Sequence, residues 1–485
     1  MQPVLLNARA PGRVVVLGAG PAGLAAAHSL VRRGGTVDVL EASPAVGGIS
    51  RTIEKDGYYF DLGGHRFFTR FDEVQALWQS VLGDEFLVRP RLSRIFYNGR
   101  FFDYPLKATN ALRNLGLVES ARCVLSFGRA RLRPRGSERT FEEWVSNRFG
   151  DRLFDIFFRS YTEKVWGIPT REIGAEWASQ RIKNLDLAAA ILSAVPARFR
   201  PQGAVVPSLI ETFHYPRTGP GLMYERMRAQ VEEQGGRVHL RAPVVRIERE
   251  GFRVERVVSR VESGAEVVWP ADTVLSSIPL TLLVQMLSPA APEAVIHASR
   301  QLTFRNLLAV NLIVDHPALF PDNWIYVHAP DLRVGRIQNF KNWSPAMVPD
   351  ASKTSLGMEY FCSDDDEMWR MDEAGLVALA SSELERTGLL KGAHVIGGSV
   401  ARAARAYPVY RQGYQEHLDV VIGYVRQFEN LQAMGRYGMF KYNNADHSIL
   451  TALLAVENLY GANHDVWRVN TDTEYHEIRG PRAAG

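Results

Sequence analysis

One stretch constrains this chain more than any other: RVVVLGAGPAGLAAAHSLVRRGGTVDVLEASPAVGG, which begins at Arg13. The Val-rich run Val14 to Leu17 suits a buried parallel strand, and the motif Gly18-x-Gly20-x-x-Gly23 follows it directly. Each glycine has a separate task. Gly18 makes the tight turn, Gly20 lets the backbone approach a pyrophosphate, and Gly23 allows the following helix to pack closely. The phosphate then sits at a helix N-terminus. Glu41 ends the next strand, 18 residues beyond Gly23, where a carboxylate can accept hydrogen bonds from a ribose diol. Strand, glycines, helix and acid together predict a Rossmann-type dinucleotide site in an α/β fold.

Val14 to Val31 also has the length and apolarity of a membrane span, but three glycines and Pro21 within it argue against that reading. Met1 to Arg13 lacks the pattern of a signal peptide, so the chain is expected to be soluble, without a membrane span. A length of 485 residues predicts two or three lobes, and 46% hydrophobic with 23% charged residues is ordinary globular composition. The net charge of +4 makes no case for nucleic acid, although it suits an anionic substrate. Cys123 and Cys362 lie far apart and form neither a zinc spacing nor a disulfide framework, so no metal is expected and a reducing cytoplasm fits.

A second glycine pair, Gly47-Gly48, comes after Glu41, then Ser50, Arg51 and the stretch FDLGGHRFF with Gly63, Gly64 and His65. This arrangement resembles the flavoprotein superfamily of amine oxidases, protoporphyrinogen oxidases and UDP-galactopyranose mutases. The resemblance implies FAD bound to a discontinuous, glutathione-reductase-like domain. Val-rich runs between charged turns from Gly235 to Pro279 read as a β-meander. In the resembling flavoproteins this segment returns to the FAD domain, with Val245 facing the adenine. A last piece, GRYGMFKYNNADHS, carries Gly435, Arg436, Asp446 and His447, which the resemblance assigns to FAD, before a helical pattern over Ile449 to Leu459. The expected division is 1–65, 205–284 and 421–485 for the FAD domain, with 66–204 and 285–420 as an inserted substrate lobe. Its first insert reads as mainly helical, with a capping box at Thr140 to Glu143 and a helix over Leu185 to Val195. The second insert mixes strands such as Leu307 to Val314 with a helix over Glu373 to Arg386.

Four stretches narrow the resemblance: FDLGGHRFF, RLSRIFYNGRFFDYPL, YTEKVWGIPTREIGAEWASQRI and GRYGMFKYNNADHS. They are similar to UDP-galactopyranose mutases, chiefly the longer eukaryotic type, in the same order across nearly the whole chain. The resemblance implies a reduced-flavin N5 that displaces the diphosphate of a nucleotide sugar, forming an adduct through which pyranose and furanose interconvert. By that likeness Arg181 and Arg336 bind the diphosphate, as guanidinium forks suit. Tyr326, Tyr104, Tyr407 and Tyr442 line phosphates and sugar, and Trp166 lies near the substrate. His65 meets N5 through its main chain.

This chain also departs from the mutases. Lys107 replaces a glutamine, Thr162 stands where an asparagine is expected, and Leu185 replaces a bacterial arginine. The extra cation at Lys107 suggests an altered sugar. The competing reading is an FAD-dependent oxidoreductase, an oxidase or desaturase of the amine oxidase or protoporphyrinogen oxidase type, which needs no paired phosphate-binding arginines. A flavin-binding protein without catalysis is the third. No second GxGxxG marks an NAD(P) domain, which leaves free NAD(P)H as a reductant. The tract GRARLRPRGSER from Gly128 to Arg139 reads as a solvated helix end, or as a contact for an acidic partner or membrane surface. Neither the sugar, the nucleotide base nor the oligomeric state is legible.

Overall fold

A computed structural model describes residues 12–136, 138–175, 177 and 211–471. The expected helix over Leu185 to Val195, and Arg181, lie outside the described residues. Val14–Leu17 and Val37–Leu40 pair in parallel, and strands Arg237–His239, Thr273–Ser276 and Leu431–Ala433 join them in one five-stranded parallel sheet. Its strands come from three separated parts of the sequence. Both faces are covered, which explains the unbroken apolar run at 14–17. Val14 and Val16 pack with the helices Pro21–Val31, Gly221–Glu233 and Ala445–Leu459, whereas Val15 and Leu17 pack toward an antiparallel sheet and the helix Tyr414–Val425.

The expected meander divides between two sheets. Val244–Glu250, Arg253–Arg260 and Glu266–Pro270 form the antiparallel ladder, while the strands flanking them enter the parallel sheet. A seven-stranded sheet joins Ser93–Tyr97 and Arg100–Asp103 to the strands Phe304–Val314, Trp324–Val327, Arg336–Asn339, Thr354–Cys362 and Val395–Pro408. Helices cover part of this sheet. Phe141–Phe149 starts on the predicted capping box, with the Thr140 hydroxyl accepting from Glu143 N and the Glu143 carboxylate accepting from Thr140 N. Ser160–Trp166 follows a π-helical segment, Asp155–Arg159, and ends at Gly167, whose φ of 66° suits a helix C-terminus. Among the described residues no helix is long and apolar enough to cross a membrane.

Candidate active site

A cavity of about 740 Å³ runs from the glycine turn of the parallel sheet to the face of the seven-stranded sheet. At its nucleotide end Gly18 adopts φ 93°, and a Cβ on Gly23 would come 1.8 Å from the Gly18 carbonyl oxygen. The turn and helix therefore close together only without a side chain at 23. Glu41 accepts from Ala19 N at 2.7 Å and Ser43 N at 2.8 Å, one bond on each carboxylate oxygen. Each oxygen keeps a second lone pair for a ribose hydroxyl. A Gly20 backbone without a Cβ, a helix N-terminus and a half-satisfied carboxylate suit a dinucleotide such as FAD.

The far end is cationic and aromatic. Arg336 begins its strand directly opposite Glu359, and its Nη2 lies 2.5 Å from Glu359 Oε2. The same Nη2 donates to Tyr407 Oη at 2.9 Å. Arg336 Nε is buried without a hydrogen-bond partner among the described residues. Gln338 Nε2 donates to the other Glu359 oxygen at 2.7 Å. Arg436 lies over the Tyr442 ring, 4.1 Å from its centroid, and donates to Asn443 O at 3.0 Å. Tyr407 and Tyr442 stack at 5.9 Å. Tyr326 packs against Tyr104 at 5.0 Å and Tyr161 at 5.6 Å, which places three phenols along one wall.

His65 sits where the two ends meet. Its Nε2 is 2.8 Å from Leu62 O, and burial, with help from the charges of Arg336 and Arg436, pushes its pKa down to about 4. The imidazole is therefore neutral at ordinary pH and donates to the Leu62 carbonyl. A Cβ on Gly64 would stand 2.8 Å from Gln338 Nε2, so the turn passes against the residue that holds Glu359. His328 stacks on Tyr161 at 4.8 Å, and burial drives its pKa down to about 3.

Of the residues expected from sequence, the cavity gathers Gly18, Gly20, Glu41, Gly48, Ser50, Gly64, His65, Tyr104, Tyr326, Arg336, Tyr407, Arg436, Tyr442 and Asp446. Gly23, Gly47, Gly435 and His447 lie behind this lining. Gly47 and Gly435 hold positive φ, and a Gly435 Cβ would meet Ala22 Cβ at 2.8 Å. Three expectations need correction. Lys107 precedes the helix Ala108–Leu115 on the solvent side, where it is 71% exposed and pairs with Asp103 at 3.6 Å, so it adds no cation to the pocket. Val245 is not part of the cavity lining: it falls at a register shift in its ladder with Arg253–Arg260, between the paired residues Val244 and Arg246, and Pro243 with Val244 lines the cavity instead. Trp166 is buried one layer back, against Trp177, Tyr407 and Tyr442. Trp177 reaches the cavity in its place.

Sequence reasoning missed Glu359, Tyr161 and His328. Glu359 left a signal: it is a carboxylate in the middle of Thr354–Cys362, a nine-residue strand with every position buried.

A two-ended cavity on a Rossmann-type sheet with an inserted mixed sheet defines a flavoenzyme fold. Residues 21–394 match the model of the flavin containing amine oxidoreductase family, and the chain belongs to that family. Membership implies FAD as the dinucleotide. The structure is similar to that of reduced UDP-galactopyranose mutase, with a TM-score of 0.81 at 22% identity over 96% of this chain and 100% of the other. A putrescine oxidase variant shares the fold at TM-score 0.60 and 14% identity, covering 92% and 98% of the two chains. In sequence, L-amino-acid oxidase of Sistrurus catenatus edwardsii is 33% identical over 135 residues, 24% of this chain and 25% of the oxidase. A protein named Probable UDP-galactopyranose mutase, from Klebsiella pneumoniae, is 26% identical over 196 residues, 38% of this chain and 45% of the mutase. The chain thus aligns with less than half the length of either relative.

Proposed function

We propose that this flavoenzyme interconverts the pyranose and furanose forms of a nucleotide-diphosphate sugar. One observation carries the reading. Arg336 is a nearly buried guanidinium whose Nε has no partner among the described residues, set in a cavity walled by the phenols of Tyr104, Tyr161, Tyr326, Tyr407 and Tyr442. A cation with donors to spare beside several hydroxyls suits a diphosphate and a sugar better than an apolar amine. Reduced FAD, when bound, supplies a nucleophilic nitrogen for the anomeric carbon.

The chain's own groups would do the rest. Arg336 and, on this reading, Arg181 hold the departing diphosphate, and the tyrosines donate to its oxygens. Neutral His65 serves through its main chain, since its Nε2–H is spent on Leu62 O. Free NAD(P)H is the proposed reductant, and the free cysteines Cys123 and Cys362 suit a reducing cytoplasm. A second reading, an FAD-dependent oxidase or desaturase, draws on the family itself and on the oxidase likeness.

The site is tested by Arg336→Ala. Because Ala leaves the buried Glu359 carboxylate without its counter-charge, the double variant Arg336→Ala/Glu359→Gln accompanies it. Binding of UDP-, GDP- and TDP-sugars should weaken about tenfold or more in both variants, while flavin absorbance is retained. Unchanged affinity in the double variant contradicts the diphosphate assignment.

A further inference from the structure

The helix Leu117–Leu132 has an outer face that none of the described residues covers. Leu117, Leu132, Leu125, Val118 and Val124 are 91%, 84%, 73%, 70% and 56% exposed, far beyond a scatter of single apolar residues. At about 100° per residue, Val124, Leu117, Ala121, Leu132, Leu125 and Val118 fall in one continuous stripe. Arg131 borders the stripe on one side, and Arg129 with Arg122 borders it on the other. All three arginines are exposed. The single acid of the helix, Glu119, binds Arg152 through both oxygens and lies 3.5 Å from Arg122 Nη1, which leaves Arg129 and Arg131 as the arginines without a carboxylate from this helix.

We propose that this face seats on an anionic lipid surface, with the helix lying in the interface plane. An apolar stripe edged by arginines on both sides lets the leucines enter the acyl boundary while the guanidiniums stay among lipid phosphates. Charge decides the occupant. A second copy of the same face offers no exposed carboxylate to these arginines, whereas an anionic bilayer offers a continuous negative surface. The preceding helix extends the pattern with exposed Leu112 and Arg113. On its inner side the helix buries Cys123 in a cluster with Tyr104, Leu106 and Phe157, all of which line or adjoin the cavity. Lipid docking therefore brings the phenol-walled end of the site close to the bilayer. The proposal is independent of the sugar chemistry.

Flotation of the full-length, FAD-loaded protein with vesicles tests it. The protein should float with phosphatidylcholine–phosphatidylglycerol vesicles, stay behind with phosphatidylcholine alone, and be released by salt. Arg129→Gln and Arg131→Gln should each weaken binding about fivefold. Leu125→Asp/Leu132→Asp should abolish it with flavin absorbance and Tm unchanged, because both positions are already in water. Failure of the wild type to float with anionic vesicles overturns the proposal, as does flotation of the leucine variant. A wild-type dimer in light scattering that does not float, and that the leucine substitutions dissolve, also overturns it and assigns the face to a second copy.

Discussion

Arg336 Nη2 and Glu359 Oε2 lie 2.5 Å apart across adjacent antiparallel strands, in side chains 17% and 1% exposed. Desolvating this carboxylate is tolerable only because Arg336 supplies its counter-charge and Gln338 donates to its other oxygen. Each group fixes the other, and Arg336 is aimed into the cavity with its Nε to spare. Glu359→Gln breaks the pair, leaves a nearly buried cation and should cost about 3 kcal/mol of stability, read by denaturant unfolding. A change within experimental error would mean that solvent already satisfies Arg336.

Tyr407→Phe removes the hydroxyl that accepts from Arg336 Nη2 but keeps the ring against Tyr442. The expected loss is about 1 kcal/mol in stability. Nucleotide-sugar affinity should fall several-fold with the flavin spectrum unaltered. Titration calorimetry reads the affinity, and an unaltered value would remove Tyr407 from the binding wall.

Gly23→Ala puts a methyl 1.8 Å from a backbone oxygen, where no side-chain rotation relieves the clash. The turn or the helix must move. The purified variant should carry little or no flavin, measured as the ratio of visible to ultraviolet absorbance. A full complement of flavin would show that the turn tolerates opening.

Asp61 gives a pH dependence with a definite sign. Burial raises its pKa from 3.8 to about 7, against the hydrogen bonds from Tyr215 and Thr52. The folded state therefore binds a proton that the unfolded state has released. That contribution is fully present below about pH 4 and lost as pH rises through about 7. Asp61→Asn stays neutral throughout, so its Tm relative to the wild type should improve steadily between about pH 5 and about pH 8. A constant difference in Tm across that range would show that Asp61 ionises normally.

What was legible in the sequence was local. Gly18 and Gly23 are dictated by a turn and a packing distance within six residues, and Thr140 with Glu143 caps a helix through bonds spanning one turn. The phenol wall was partly legible because its residues stand in recognisable stretches. Glu359 was missed because its role depends on strand register with a residue 23 positions away. Tyr161 and His328 were missed for a similar reason, since a helix and a strand-end segment bring them into stacking contact. Val245 and Lys107 failed on local geometry. Val245 sits at a register shift that moves the cavity lining to Val244, and a lysine at a helix start can turn to solvent toward a nearby aspartate.

The central claim is that the site handles a nucleotide-diphosphate sugar without net oxidation. Its most direct test incubates the purified flavoprotein with a panel of UDP-, GDP- and TDP-sugars, with catalytic dithionite or NADPH, while isomer composition and dissolved oxygen are followed together. Many turnovers of pyranose–furanose interconversion per reductant, with no matching oxygen uptake, is the predicted result. An oxidised product formed with stoichiometric oxygen consumption would contradict it and make the protein an oxidase.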